Sequence, residues 1–519
     1  MARLALLSVS DKTGLADLAQ TLVNDFEFEI ISSGGTAEVL AEAGIPVTAV
    51  ADYTGSPEIL GGRVKTLHPR IHGGILARPN LPEDVQDLEG HDIRPFTLVI
   101  VSLYPFEQTI AKPDTTLPEA VEQIDIGGVA LIRAAAKNFA HLTVLCDPSQ
   151  YAPYLTELRK NQGETSQFFR ESCARQAFWQ TAAYDQAIAQ YLTEQTSEAE
   201  GGRAFPTHYA LSGQQRQALR YGENPHQPAV WYQNGTPASG WAAAEKLQGK
   251  ELSYNNLIDL EAARRLMAEF PTHGRPAAAI LKHTNPCGVA LGETLARAYE
   301  KAFAADSISA FGGIVALNQP IDTATAQALT QTFLECVVAP ACEPEAAPIL
   351  AQKQNLRVLI LPEFSDGPAQ TVKAIAGGFL AQTTDDFLED PSNWKIVSAQ
   401  KPEINELEEM LFAWRVVKHV KSNAILITRD RATLGIGAGQ MNRVGAVKIA
   451  LDQAGAAASG AVLASDGFFP FDDSVRAAAA AGIRAVVQPG GSIRDEASVK
   501  AANELGLIMA LTGTRHFLH

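Results

Sequence analysis

Short apolar runs recur along this chain, each followed by a polar turn and then a stretch with helical spacing. Leu4–Leu7 reads as a strand that ends in the Ser-Val-Ser-Asp-Lys turn at Ser8–Lys12, with a helix from Gly14 to about Asn24. Phe28–Ile31 reads as a second strand, closed by Ser33-Gly34-Gly35-Thr36 and followed by a helix to about Ala43. Leu98–Leu103 and His141–Leu145 are further apolar strands. Strands spaced by helical segments predict a parallel α/β sheet covered on both faces. Beyond about Phe205 the alternation resumes, with strands expected at Ala277–Leu281, Ile314–Leu317, Arg357–Leu361, Ala424–Thr428, Ala461–Ala464 and Ala485–Val487. The polar, aperiodic segment Gln195–Ala204 reads as a linker, and a second break falls near Thr383–Trp394. No repeat at solenoid periods is visible.

A chain of 519 residues exceeds one core and predicts two or three domains. Its 46% hydrophobic and 19% charged residues fit a globular protein, and 42 basic against 58 acidic side chains give a formal charge of -16. That charge argues against nucleic acid or an anionic membrane as the main partner, while leaving room for a small anion held by local Lys and Arg. Five scattered cysteines do not make a disulfide framework and suggest reduced thiols. With no apolar run of signal-peptide or membrane-span length, a cytoplasmic setting is expected.

Ser8, Ser10 and Lys12, then Ser33, Gly34, Gly35 and Thr36, place small and hydroxylic residues at two strand-to-helix turns. Such turns offer backbone N–H groups and a helix dipole to an oxyanion. Two of them at corresponding strand ends favour a phosphate site over mere helix capping. Gly61-Gly62-Arg63-Val64-Lys65-Thr66-Leu67-His68-Pro69 is not a nucleotide P-loop, because Val64 stands where that motif needs glycine. Arg63 and Lys65 are candidate anion contacts. His68 and His72 lack a metal-binding frame and read as locally hydrogen-bonded histidines. Tyr104 closes a strand at the edge where α/β sites form. Asp125, beside Gly127 and Gly128, either positions an amide nitrogen near oxyanion donors or only caps a helix. Lys137 lies at the far end of that helix, about 18 Å away at ~1.5 Å per residue. It reaches Asp125 only if the helix bends, starts late or belongs to a neighbouring subunit.

In the second half, Lys282-His283-Thr284-Asn285-Pro286-Cys287-Gly288 follows an apolar strand. His283 is a candidate general base, though a histidine hydrogen-bonded within a turn reads equally well. In a regular strand Lys282 and His283 would face opposite ways, so sharing a site requires a turn, which Pro286 and Gly288 favour. A zinc-deaminase set is absent, since Asn285 and Ala290 stand where its acid and second cysteine belong. Arg220–His226, Ser309–Gly313 and Gly435–Arg443 read as further ligand-contact turns.

Taken in order, these strings, with Ser465-Asp466-Gly467-Phe468-Phe469-Pro470-Phe471 and the closing Arg515-His516-Phe517, resemble the bifunctional aminoimidazole carboxamide ribonucleotide (AICAR) transformylase and inosine monophosphate (IMP) cyclohydrolase family from Leu6 to the last residues. The resemblance implies an α/β protein with an N-terminal methylglyoxal-synthase-like parallel-sheet domain. A transformylase region of two cytidine-deaminase-like α/β lobes without zinc would follow. The corresponding expected boundaries are 1–195, a linker at 196–204, 205–382 and 383–519.

The resemblance further implies formyl transfer from 10-formyltetrahydrofolate, the cosubstrate, to AICAR. His283 would be the base, Lys282 the charge stabiliser or proton donor, and Asn423 would orient the formyl group. It implies dehydrative closure of the product, FAICAR, to IMP by Lys65, Tyr104, Asp125 and Lys137. Ser10, Lys12, Ser33, Gly35, Thr36, Arg63, Thr66 and Gly127 would hold substrate in the first domain. Arg220, Tyr221, Gly312, Glu335, Phe468 and Arg515 would contact the nucleotide in the second. Gln440, Arg443 and Asp473 would lie on the folate side. It also implies a homodimer with transformylase sites at its interface, and leaves a monovalent cation open. Asn442 and Ser307 depart from residues common in the family, and Cys287 reads as a packing residue.

Overall fold

In the computed structural model, residues 3–199, 205–235 and 238–519 are described. Contacts divide the chain into two compact units, Met1–Ser212 with Gly235–Pro237, and Gly213–Asn234 with Ala238–His519.

The first unit is built on strands β1 (Arg3–Val9), β2 (Phe28–Ser32), β3 (Thr48–Ala49), β4 (Phe96–Ser102) and β5 (Thr143–Leu145). They form one sheet in the order β3-β2-β1-β4-β5, with every pairing parallel. Strands such as Leu4–Leu7 and Leu98–Val101 are buried throughout, which is why they read as unbroken apolar runs. Strand order reverses between β1 and β4, and such a switch point opens a crevice at the carboxyl ends of the strands. Helix Gln167–Ala199 continues past the expected domain end, so positions 196–199 are helical. Positions 200–204 of the expected linker lie outside the described residues.

The second unit holds a hairpin of β6 (Gln214–Leu219) and β7 (Ala229–Gln233) and a hairpin of β14 (Gln370–Ile375) and β15 (Gly378–Thr383). Its main sheet begins with β8 (Glu245–Gln248), β9 (Ala277–Lys282), β10 (Asn285–Leu291), β11 (Ile314–Leu317), β12 (Cys336–Ala339) and β13 (Arg357–Ile360). It continues with β16 (Lys395–Ile396), β17 (Ile425–Arg429), β18 (Ala432–Gly437), β19 (Val462–Ser465), β20 (Ala485–Gln488) and β21 (Ile508–Leu511). The order is β16-β21-β20-β19-β17-β18-β10-β9-β11-β12-β13-β8. Read outward from β18 and β10, the two halves repeat each other strand for strand. The two copies are divided between β13 and β16, and β10 and β18 pair antiparallel and join both copies into one mixed sheet.

On one face, helices Tyr254–Met267 and Ile404–Val417 share a single core cluster that includes Leu260, Met267, Met410 and Trp414. On the other face the cores are separate, one around Ile280, Tyr299 and Val337 and one around Ile427, Val447 and Val486. β10 and β18 are not expected from apolar runs: the first contains Asn285, Pro286 and Gly288, the second Gly435 and Gly437. At Gly288 and Gly435 an added methyl would strike the carbonyls of Ala302 and Ala450, so glycine lets a helix backbone lie against each strand.

Candidate active sites

In the first unit the candidate residues gather at the carboxyl ends of β1, β2 and β4. Lys12 Nζ donates to Thr36 Oγ1 at 3.1 Å and to the Val9 carbonyl, bridging the two turns. Burial pulls the Lys12 ammonium below its ordinary pKa. Ser10 N–H donates to Ser102 Oγ at 2.7 Å, and Asp11 N–H does so at 3.0 Å. Ser102, at the end of β4, thus fixes the first turn. Ser33 is buried and leads into helix Gly34–Glu42, whose first turn carries Gly35 and Thr36. Gly34 has φ 51°, and a Cβ there would lie 3.1 Å from Lys65 Nζ, so the ammonium hangs over this helix start.

The ammonium pairs with Glu58 Oε2 at 3.5 Å, and its charge also acts on Asp125. Asp125 Oδ1 accepts the Gly128 N–H at 2.7 Å, and the Tyr104 backbone N–H lies near the same carboxylate. Burial raises the Asp125 pKa above the ordinary carboxylate value, while these donors and the Lys65 charge oppose the shift. Asp125 therefore caps the helix start, with the Lys65 charge acting on it. Tyr184 holds the segment in place, its hydroxyl donating to the Gln123 carbonyl and accepting the Asp125 N–H, both at 2.8 Å. Thr66 closes on Gly127, where a Cβ would lie 3.2 Å from its Oγ1. The Tyr104 ring is exposed.

Two expected members of this site stand apart. Arg63 forms an exposed ion pair with Glu122. Lys137 is exposed and ends helix Gly127–Lys137, which starts directly after Asp125 and Ile126. The helix puts Lys137 about 15 Å from Gly127 at ~1.5 Å per residue, so an early start excludes an intrachain meeting with Asp125. His68 caps helix Pro69–Leu76, accepting the Arg70 N–H at 3.1 Å, and His72 lies within that helix.

In the second unit Lys282 ends β9, and Asn285, which begins β10, pairs with it. His283 and Thr284 alone make the turn, with φ 52° and 65°. The bend therefore comes from left-handed residues at its tip, and Pro286 and Gly288 lie in the following strand. Hairpin loops of two residues favour this conformation because it matches strand twist, but non-glycine residues bear about 1–3 kcal/mol of strain each. Asp259 holds it: Oδ1 accepts the Thr284 N–H at 2.7 Å. Lys282 Nζ donates to the Phe311 carbonyl at 2.8 Å, next to Gly312 with φ 72°. Asn285 ties the turn across the sheet, donating to the His283 carbonyl at 3.4 Å and accepting the Lys421 N–H at 3.0 Å.

Lys421 leads directly to Asn423, whose Nδ2 donates to the Gln440 carbonyl at 2.7 Å. Ser422, Asn423, Gly439, Gln440, Met441, Phe517 and His519 line a cavity of about 370 Å³. Lys282, His283, Asn423 and Gln440 are thus linked through Asn285 and Lys421. Other expected contacts are locally engaged. The Arg220 guanidinium lies 5.4 Å from the Tyr221 ring centre, and that of Arg515 4.6 Å from Phe517. Glu335 pairs with Arg357 at 2.7 Å. Phe468 is exposed, and Asp473 accepts the Ser474 N–H at 2.7 Å at a helix start. Arg443, expected on the folate side, is buried in an ion pair with Asp466. Cys287 is buried, and burial pushes its thiol up to about 12, so it packs and does not act as a thiolate. Among the described residues, no group of three His, Cys, Asp or Glu could hold a metal ion, and no helix is long and apolar enough to cross a membrane.

Ser102, Tyr184, Asp259 and Lys421 give no signal in the sequence, because each acts through a fold contact; Asn285 and Asp466 lie in quoted motifs, but their supporting contacts are set by the fold.

A family model described as "MGS-like domain" matches residues 14–130, and one described as "AICARFT/IMPCHase bienzyme" matches 135–453. The chain is similar over its whole length, and over the whole of each relative, to proteins named "Bifunctional purine biosynthesis protein PurH". Identity is 69% with that of Nostoc punctiforme, 67% with that of Synechococcus elongatus and 66% with that of Gloeothece citriformis. A crystal structure of ForH is 35% identical, covering 36% of this chain and 98% of its own, at a TM-score of 0.33. With family models on both units and end-to-end identity to its relatives, the chain belongs to the AICARFT/IMPCHase bienzyme family of purine biosynthesis.

Proposed function

We propose that the second unit transfers the formyl group of 10-formyltetrahydrofolate to AICAR at the Lys282–His283 turn, and that the first unit closes the product to IMP around Asp125. The observation that carries this reading is the link from His283 through Asn285 and Lys421 to Asn423, at the mouth of a cavity. The acceptor amine is conjugated to its ring and is a poor nucleophile. His283 removes its proton as nitrogen attacks the formyl carbon, Lys282 stabilises the oxyanion or protonates the leaving folate nitrogen, and Asn423 orients the formyl group. Arg220, Tyr221, Gly312, Glu335, Phe468 and Arg515 hold the nucleotide, while Gln440 and Asp473 serve the folate. Arg443 serves it indirectly, by supporting the Asn423 segment.

In ring closure the carboxamide nitrogen attacks the formyl carbon and water leaves. Asp125 orients and deprotonates the amide, while Lys65 and the Tyr104 hydroxyl stabilise the oxygen that departs. Ser10, Lys12, Ser33, Gly35, Thr36 and Thr66 cradle the phosphate at a helix start, and Arg63 reaches it by leaving Glu122. Lys137 requires delivery from a second copy, which a homodimer would provide. A favourable ring closure draws forward an unfavourable transfer, which explains joining the two.

The test is turnover of the full chain with AICAR and 10-formyltetrahydrofolate, followed by chromatography of the nucleotides. Wild type should yield IMP, His283→Ala no formylated nucleotide, and Asp125→Ala accumulated FAICAR. IMP from AICAR with His283→Ala would overturn the assignment of the base.

A further inference from the structure

We propose that Asp259 is a positioning residue for His283, holding its turn and setting a negative charge beside the imidazole as it gains a proton. This rests on His283 being the base, as assigned above. Asp259 is half-buried on helix Tyr254–Met267. Its Oδ1 accepts the Thr284 N–H at 2.7 Å, and the backbone of His283 lies near the same carboxylate. Histidine is among the non-glycine residues that enter the positive-φ region more readily, but the β-branched Thr284 resists it. The turn is therefore held from below, by the carboxylate.

The same helix reaches a second candidate ligand turn. Asn255, four residues before Asp259 and on the same face, donates to the Glu223 carbonyl at 3.4 Å within Arg220–His226. One helix face thus sets the nucleotide turn and the His283 turn relative to each other. The charged groups facing the carboxylate are His283 and Lys421, with Lys282 adjacent in the chain and anchored on Phe311. Burial raises the Asp259 pKa, and the Thr284 N–H, with the neighbouring His283 and Lys421, opposes that shift.

The repeat in the sheet supplies a comparison inside the same molecule. Asp430 and Arg431 form the matching turn between β17 and β18, with φ 55° and 51°. There Glu409, from helix Ile404–Val417, accepts the Arg431 N–H at 2.8 Å. A carboxylate beneath the turn is thus part of how each half is built. Only the turn above Asp259 carries an imidazole; the matching turn carries Asp430 and Arg431. When His283 takes the proton of the attacking amine it becomes a cation, and an ionised Asp259 stabilises it while keeping its own proton off.

Asp259→Asn keeps an oxygen for the backbone and removes the charge, and Glu409→Gln does the same at the matching turn. In the full chain, Asp259→Asn should lower formyl-transfer kcat about 10- to 100-fold, with the KM for AICAR within about twofold. The acid limb of its kcat/KM profile should move to lower pH, because imidazolium loses its counter-charge. Glu409→Gln should move neither. Unchanged kcat and acid limb in Asp259→Asn, or an equal shift in Glu409→Gln, would overturn the proposal. If Asp259→Asn does not fold, Asp259→Asn with Thr284→Gly, which relaxes the turn, gives the same two readouts. His283→Ala separates the levels: retained transfer there defeats the assignment of the base, whereas its loss alongside an unaffected Asp259→Asn defeats only this inference.

Discussion

The Arg443 guanidinium meets the Asp466 carboxylate inside the second unit, with the two side chains 5% and 0% exposed. Asp466 also accepts the Ala424 N–H at 3.1 Å and the Ser422 hydroxyl, so the pair grips the chain on both sides of Asn423. Removing one partner leaves a buried charge uncompensated, which costs about 3–5 kcal/mol. Arg443→Ala should lower the unfolding midpoint of the second unit in guanidinium chloride and abolish formyl transfer through loss of structure. An unchanged midpoint with weakened folate binding would return Arg443 to the folate side.

Asp125 gives a pH dependence whose sign can be worked out. Its folded pKa is raised by burial, so the folded unit binds the proton more tightly than the unfolded chain. Stability is therefore favoured in acid and declines as pH rises from the unfolded pKa through the folded one. Asp125→Asn, neutral throughout, should be at least as stable as wild type at pH 7 in thermal unfolding. It should also close FAICAR about 100- to 10,000-fold more slowly. In wild type, ring closure should fail in acid at a higher pH than an ordinary carboxylate would set.

Tyr184→Phe removes a hydroxyl that serves both the Gln123 carbonyl and the Asp125 N–H. Two polar groups lose their partner, at a cost of about 1–3 kcal/mol. Supplied with AICAR and 10-formyltetrahydrofolate, this variant should accumulate FAICAR, since only the Asp125 segment is loosened. Equal accumulation of IMP by variant and wild type would show that the hydroxyl is dispensable.

Lys282→Met keeps the length of the side chain but loses the ammonium and its bond to the Phe311 carbonyl. Formyl transfer should fall by about 100-fold or more in kcat, the scale of a lost electrostatic contact to the transition state. Closure of supplied FAICAR should be unchanged, and a parallel loss of both activities would point to misfolding instead.

Much of the scaffold was legible. Strands buried on both faces read as apolar runs, so Ile314–Leu317 matches the expected strand in full. The centre of the large sheet was not, because β10 and β18 carry the glycines, proline and polar residues that otherwise mark turns. A turn after Lys282 was expected from Pro286 and Gly288, but its tip at His283–Thr284 gave no signal of its own, since neither residue is the glycine or asparagine such loops favour. The contacts that support the candidate residues join Ser102 to Ser10 across 92 positions, Tyr184 to Asp125 across 59 and Asp259 to Thr284 across 25. Such pairs are set by the closed fold and leave no local pattern. The repeat was implied only by the resemblance, with its two lobes, because it is carried by strand order and not by shared residues.

Joining the two halves through β10 and β18 has a consequence for how the second unit can be taken apart. A cut near Thr383 would strip each central strand of a neighbour and lay open backbone that now lies mid-sheet. It would also divide the core in which Leu260 and Met410 take part together. Each fragment would present an adhesive edge, suited to capturing another fragment. The unit should therefore melt as one body, and its halves should be recoverable only by co-expression, reassembling along that seam.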